Sequence, residues 1–177
     1  MVYGIVVTKK YVISNNERNI MAQTILSTRH LVKGEDLNHH GTLYAGRGVE
    51  WMVEAGFIAA SSATESENIV CMRINSLLFR KPVPKGQMVN YQSMIVYSGR
   101  TSLTAYVRVT NVNTHEFIVD GFFTYVYTDD NAKPIPHGIV VNPENEVQQG
   151  LYNEAKNISE TSKIEAAKYK LRDFPLE

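Results

Sequence analysis

An α+β fold, one long helix laid against a curved antiparallel sheet, is the architecture this sequence predicts, and three observations predict it. Residues 46–60 form a proline-free run containing Val49, Trp51, Met52, Val53, Phe57 and Ile58, long enough for about four helical turns and about 22 Å. Four runs rich in β-branched and aromatic residues follow, over 69–79, 87–97, 102–112 and 116–128. The breaks between them hold Lys81-Pro82-Val83-Pro84-Lys85-Gly86, Ser98-Gly99-Arg100 and Asn111-Val112-Asn113-Thr114. These are turn chemistry, and they are shorter than the roughly dozen residues that a parallel crossover needs.

In chain order, residues 2–14 are β-branched and aromatic, 15–19 interrupt the pattern and 23–32 resume it, which predicts two short strands. A polar segment, 33–41, leads into the helix. Apolar residues surround most of its circumference, so it is expected to be buried, with Glu50 and Glu54 as its anomalies. Turn-like residues 61–68 connect it to the strands. Beyond Lys133-Pro134-Ile135-Pro136, residues 144–170 are rich in charge and helix formers, with Val147, Leu151, Ala155 and Ile158 as a narrow apolar stripe. A peripheral helix or tail is expected there, dividing the chain into a folded domain over 1–140 and a charged helical extension over 141–177.

A chain of 177 residues buries one substantial core. Lys and Arg number 18 and Asp and Glu number 18, so no global field draws the protein to nucleic acid or to an anionic membrane. An anionic ligand must be held by a local cluster. The single cysteine, Cys71, makes no intrachain disulfide, and the first residues do not read as a secretory leader, which together predict a reducing, cytoplasmic setting. No run approaches the roughly 18 apolar residues of a spanning helix.

The chemistry concentrates at Asn38-His39-His40-Gly41-Thr42-Leu43-Tyr44-Ala45-Gly46-Arg47-Gly48. Glycines let a backbone approach a ligand closely, and a helix opening near Gly46 presents unsatisfied N–H groups and the positive end of its dipole. Such a terminus polarises a carbonyl or stabilises an oxyanion. Asn38 at the loop entrance is suited to orienting a water or that carbonyl, and Glu50 or Glu54 to acting as general base or nucleophile. The alternative reading of each is plain: glycine as punctuation, Asn38 as a turn residue, the glutamates as a solvated helix face. Their apolar neighbours weigh against the last. His39 and His40 lack further ligands at metal-binding spacing, which leaves them as hydrogen-bonding or simple loop residues. Neither a nucleophile elbow nor a phosphate-binding glycine loop is present. Arg80, Lys81, Lys85 and Arg100 sit in or beside turns, where they form either a phosphate site or solubilising charge.

Asn38, Gly41 and Gly46 fall in the register of a loop in which an asparagine stands three residues before a glycine and a second glycine, five further on, opens the central helix. With Phe79-Arg80-Lys81-Pro82-Val83-Pro84-Lys85-Gly86, Gly99-Arg100-Thr101-Ser102 and Phe123-Thr124-Tyr125-Val126-Tyr127, the chain over 22–137 resembles the hotdog-fold acyl-CoA thioesterases. The resemblance implies a central helix wrapped by an antiparallel sheet. It implies hydrolysis of an acyl-CoA at a site shared across a homodimer interface, with tetramers or hexamers as higher multiples, and no metal or organic cofactor. Asn38 and Gly46 then belong to the catalytic constellation. His39, His40, Gly41, Arg80, Lys81, Lys85, Arg100, Thr101 and Ser102 bind substrate.

The family's acid falls seven residues after the second glycine, at Val53 here, so the chain departs from the pattern. Glu50 points about 60° from the Val53 direction and a turn earlier; Glu54 is the next residue, about 100° away. Glu54 is favoured, reaching in from the partner subunit. The runner-up is a non-catalytic acyl-CoA sensor of the same fold. A dehydratase or hydratase would need a His and Asp pair that residues 36–40 do not form.

Overall fold

Strand pairing here follows the alternation of side chains. The structure, a computed structural model, describes residues 6–7, 19–21 and 23–169. Most of the strand expected over 2–14 lies outside these; its described part is β1 (Val6–Val7). β2 (Asn19–Met21) and β3 (Leu26–Leu31) precede α1 (Ala45–Thr64). Then come β4 (Ile69–Asn75), β5 (Met88–Ser98), β6 (Ser102–Asn111) and β7 (Phe117–Tyr127), followed by β8 (Ile139–Val141) and α2 (Glu146–Tyr169). Six strands form one sheet in the order β1-β3-β5-β6-β7-β4, every neighbouring pair antiparallel. β2 and β8 make a separate parallel pair that the sequence reading did not anticipate.

β5 shows why its sequence is apolar almost throughout. Val89, Tyr91 and Ile95 belong to the core beneath α1, whereas Met94 and Val96 point to the opposite face and pack with Phe122 against Ala155, Leu151 and Ile158 of α2. Period-2 alternation therefore feeds two apolar layers instead of one. Of the stripe expected on the C-terminal helix, Leu151, Ala155 and Ile158 are docked on the outer face of the sheet while Val147 stays exposed; Tyr152 lies edge-on to Tyr97 at 5.4 Å and Glu165 is ion-paired to Arg73 of β4 at 2.8 Å. The division expected at 140 falls inside β8.

α1 extends past the expected end at Ala60 because Thr64 donates its hydroxyl to the Ala60 carbonyl at 3.1 Å, and Glu65 closes the helix in the left-handed conformation with its N–H on the Ser61 carbonyl. Only one face is buried, formed by Gly48, Met52, Ala55, Gly56, Ala59 and Ala60. The expectation of a helix buried all round is corrected accordingly: Glu50 and Glu54 are exposed on the opposite side of the single chain. Apart from Met52 the buried residues are small, because the sheet supplies the bulk, in Tyr91, Phe123 and Tyr125, each at most 1% exposed. Tyr125 donates its hydroxyl to the Val53 carbonyl at 2.6 Å.

β4 stops at Asn75, four residues before the strand predicted to run to 79. Ser76 turns into positive φ (52°), and the chain leaves the sheet edge as a strap whose Arg80 N–H bonds the Ile118 carbonyl of β7 at 2.9 Å. Before β8, His137 donates from Nε2 to the Ser102 carbonyl (3.2 Å) and accepts the Ile139 N–H at Nδ1 (3.0 Å), which ties the β5–β6 turn to the small sheet. The bond accepted at Nδ1 requires the neutral ring, and burial lowers the pKa of His137 below its usual 6.5. Among the described residues no helix is long and apolar enough to cross a membrane.

A methyl group at Gly56 would stand 2.4 Å from the Tyr125 hydroxyl, and that ring is fully buried. Gly56→Ala is expected to cost about 1–3 kcal/mol in urea unfolding through overpacking and disturbance of the Tyr125–Val53 bond. Gly150→Ala on α2 faces open space and is expected to gain roughly 0.5–1 kcal/mol. Because His137 is held neutral when folded and takes a proton more readily when unfolded, its contribution is complete above about pH 6.5 and is lost as pH falls through its lowered folded pKa. Unfolding midpoints across that range are expected to drop less steeply in His137→Gln, which removes this titration.

Candidate active site

The helix start is held by a short structured loop. The 3-10 turn Gly34–Asp36 brings Asp36 to a buried position, where its carboxylate accepts the Lys33 N–H at 2.9 Å and faces Arg47 Nε at 3.4 Å. Asn38 and Thr42 then close a tight turn through Asn38 N–H to the Thr42 carbonyl (2.8 Å) and Gly41 N–H to the Asn38 carbonyl (3.0 Å). The Asn38 side-chain oxygen accepts from the N–H of His40 at 2.9 Å and of Thr42 at 3.3 Å. Its amide nitrogen lies 3.1 Å from the Thr42 hydroxyl. Gly41 adopts φ +76°, a conformation natural to glycine. Asn38 is therefore the organiser of this loop. His39 and His40 stand exposed at its tip with their rings 3.8 Å apart.

Helix α1 begins at Ala45, one residue before the expected start, with Tyr44 as an extended N-cap whose ring lies over Gly46. The first intrahelical bond is Gly48 N–H to the Tyr44 carbonyl, so the amides of Ala45, Gly46 and Arg47 precede it. Asn38, Thr42 and Ala45 line one side of a cavity of about 250 Å³; the strap from Phe79 to Val83 lines the other, and Val89, Tyr91, Val109 and Val119 form its floor. The helix N-terminus thus opens onto an apolar-floored pocket whose rim carries Arg80 and Lys81. Arg80 also lies over the Phe117 ring at 5.7 Å, and Lys81 is ion-paired with Glu116.

The two glutamates take different neighbours, and neither lines the cavity. Glu50 holds Arg47 at 2.7 Å, and Arg47 bridges to Asp36. Glu54 lies toward β3, close enough to His30 to raise its proton affinity against the larger lowering effect of burial. His30 stacks flat on Trp51 at 4.4 Å. Val53 lies on the opposite flank, where its carbonyl meets Tyr125 of β7.

The expected gathering of basic turns is corrected within one chain. Arg80, Lys81 and Lys85 precede β5, whereas Arg100, Thr101 and Ser102 follow it, at the far end of an eleven-residue strand, roughly 30 Å away. Turns flanking the same strand must lie at opposite ends, a signal that the turn positions already carried. The sequence assigns no site role to Tyr91, Trp51 or His30, which the structure brings together. An inward-facing tyrosine among the aliphatic residues of β5 was the signal for the first.

Residues 40–118 match the family model of the thioesterase superfamily. An uncharacterized acyl-CoA thioester hydrolase of Bacillus subtilis is 29% identical over 124 residues, covering 68% of this chain and 71% of that protein. The cytosolic acyl coenzyme A thioester hydrolase of Rattus norvegicus is 28% identical over 151 residues, covering 81% of this chain but 39% of that protein, so the chain spans about two fifths of its length. Among solved structures, the acyl-CoA hydrolase of Staphylococcus aureus in complex with butyryl coenzyme A superposes with a TM-score of 0.75 at 26% identity, covering 84% of this chain and 89% of that one. An apo-hexameric acyl-CoA thioesterase gives 0.73 at 30% identity, covering 81% and 93%. Alanine variants of the Staphylococcus aureus enzyme replace an asparagine and an aspartate that stand 15 positions apart, the spacing of Asn38 and Val53 here. Sequence and superposition agree, and the chain belongs to the hotdog-fold acyl-CoA thioesterases of the thioesterase superfamily.

Proposed function

We propose that the protein hydrolyses acyl-CoA thioesters to free coenzyme A and a carboxylic acid at the cavity beside the start of α1. One observation carries the reading: unpaired helix amides, an apolar pocket and a basic rim converge there. The thioester carbonyl sits at the amides of Ala45 to Arg47, where the helix dipole stabilises the developing oxyanion, and the acyl group occupies the valine floor. Arg80 and Lys81 attract coenzyme A phosphates. His39, His40 and Gly41 at the loop tip flank the entrance. The named activities of the Bacillus, rat and Staphylococcus relatives support this substrate class. A cytoplasmic setting accords with the single cysteine and the cytosolic rat relative.

The site is completed by a second copy. β4 is an open sheet edge, and Val70, Met72 and Ile74 beside it are 43%, 65% and 45% exposed. An antiparallel partner on that edge covers them. It also sets the Arg100–Ser102 end of one sheet beside the cavity end of the other, restoring the phosphate site that a single chain divides. The hexameric relative supports a closed assembly of such pairs, whether tetramer or hexamer. The base that activates water is a helix carboxylate of that copy, and Glu54 takes the role because Glu50 is engaged by Arg47. The second reading, a non-catalytic acyl-CoA sensor, is favoured by Val53 at the acid position and by the absence of both glutamates from the cavity lining.

Thiol release from a panel of acyl-CoAs separates the two readings; tight binding without release on short, medium and long chains would establish the sensor. Glu54→Gln is expected to lower kcat by at least about 100-fold with affinity retained, and Glu50→Gln to be mild. The reverse ranking would transfer the role. Arg100→Ala is expected to raise KM with little change in kcat, and an equal loss on a thioester lacking the nucleotide would count against a phosphate contact.

A further inference from the structure

Tyr91 is the one polar group in the floor of the cavity, and its surroundings fix where it points. It is 1% exposed and pairs with Thr28 across β3 and β5. Trp51 and His30 both meet its ring edge-on, at 6.0 and 5.4 Å, and since these two stack on each other they form a rigid brace. The hydroxyl ends 4.0 Å from the place a Gly48 side chain would occupy, against the second turn of α1. No group among the described residues hydrogen-bonds to it, although Tyr125, the other buried tyrosine facing α1, has its hydroxyl on a backbone carbonyl. Burial, reinforced by the charge of Asp36, raises the phenol far above its usual pKa, so it stays an O–H donor throughout the working range of pH.

That hydroxyl opens onto the cavity with no protein partner, so an alkyl chain that displaces water from it leaves a donor unsatisfied, at a cost. An oxygen on the chain removes it. Gly48 lies three residues into the helix from Ala45, about 4.5 Å along the axis from the first of the amides that receive the thioester carbonyl. We infer that Tyr91 is a specificity-determining residue: its hydroxyl donates to an oxygen carried on the acyl chain a few bonds beyond the thioester, so the pocket selects hydroxyacyl or oxoacyl groups over plain alkyl ones. Val89, Val109 and Val119 receive the hydrocarbon remainder. This rests on the hydrolytic reading above for the direction in which the acyl group enters.

The test compares butyryl-CoA with β-hydroxybutyryl-CoA and acetoacetyl-CoA, in the wild type and in Tyr91→Phe, which keeps the ring and deletes the donor. The wild type is expected to favour the oxygenated substrates by about ten-fold in kcat/KM, and the variant to lose most of that ratio. A wild-type ratio near one overturns the inference even if the variant does not fold. A ratio that survives in a folded variant does so too, as does an equal loss on all three substrates, which would assign the hydroxyl to the thioester carbonyl they share. If none of the three is hydrolysed, the hydrolytic reading fails separately. The same ratios are then read from calorimetric binding constants, where equal affinity for the three ligands overturns the assignment of Tyr91.

Discussion

The close approach of α1 to the sheet is the constraint on which the rest of this structure depends. The helix contributes Gly48, Ala55, Gly56, Ala59 and Ala60, and the sheet contributes Tyr91, Phe123 and Tyr125, so large side chains from one layer rest on near-bare backbone of the other. Interlocking of this kind fixes the helix in rotation as well as in distance, because turning it would drive a bulky flank such as Trp51 or Phe57 into the aromatic rings. The Tyr125 hydroxyl on the Val53 carbonyl adds a directional bond to the same contact. Toward the start of the helix the sheet residues change from aromatic to valine, at positions 89, 109 and 119, and the space released there is the cavity.

Much of this was legible because periodicity speaks directly about burial. The central helix and the four long strands were read in their order, and the antiparallel connections followed from turn lengths. What escaped depended on contacts between distant residues. The end of β4 at Asn75 is set by a strap that bonds to β7, not by any break in its apolar run. Burial of one helix face alone could not be read from a composition that is apolar nearly all round, since Val53, Phe57 and Ile58 remain only partly covered in the single chain. The loop from Asn38 to Gly46 announced itself through residue types with few structural uses. Tyr91 did not, since a tyrosine in a strand is ordinary until its hydroxyl is found in a pocket.

The two halves of the candidate site meet through Arg47, which pairs with both Asp36 of the loop and Glu50 of the helix. Asn38, Thr42 and the helix amides are positioned by hydrogen bonds within the loop and by the Leu43 N–H on the Val83 carbonyl of the strap, and they persist intact although position 53 carries valine. The carboxylates belong to the exposed face of α1, where Arg47 and His30 engage them unequally. Glu50 reaches the loop through Arg47 and Asp36, whereas Glu54 lies toward β3, so a change at Glu54 leaves the electrophilic half untouched.

The docking of α2 bears on how the chain is made. Met94, Val96 and Phe122 lie in strands completed well before the helix that covers them, and Ala155, fully buried beneath it, comes more than thirty residues after the last of the three. During synthesis the inner face of the sheet can close on α1 as soon as β7 emerges. The outer face stays wet until residues past Ile158 have left the ribosome, and through that interval the nascent domain presents an apolar surface to whatever surrounds it.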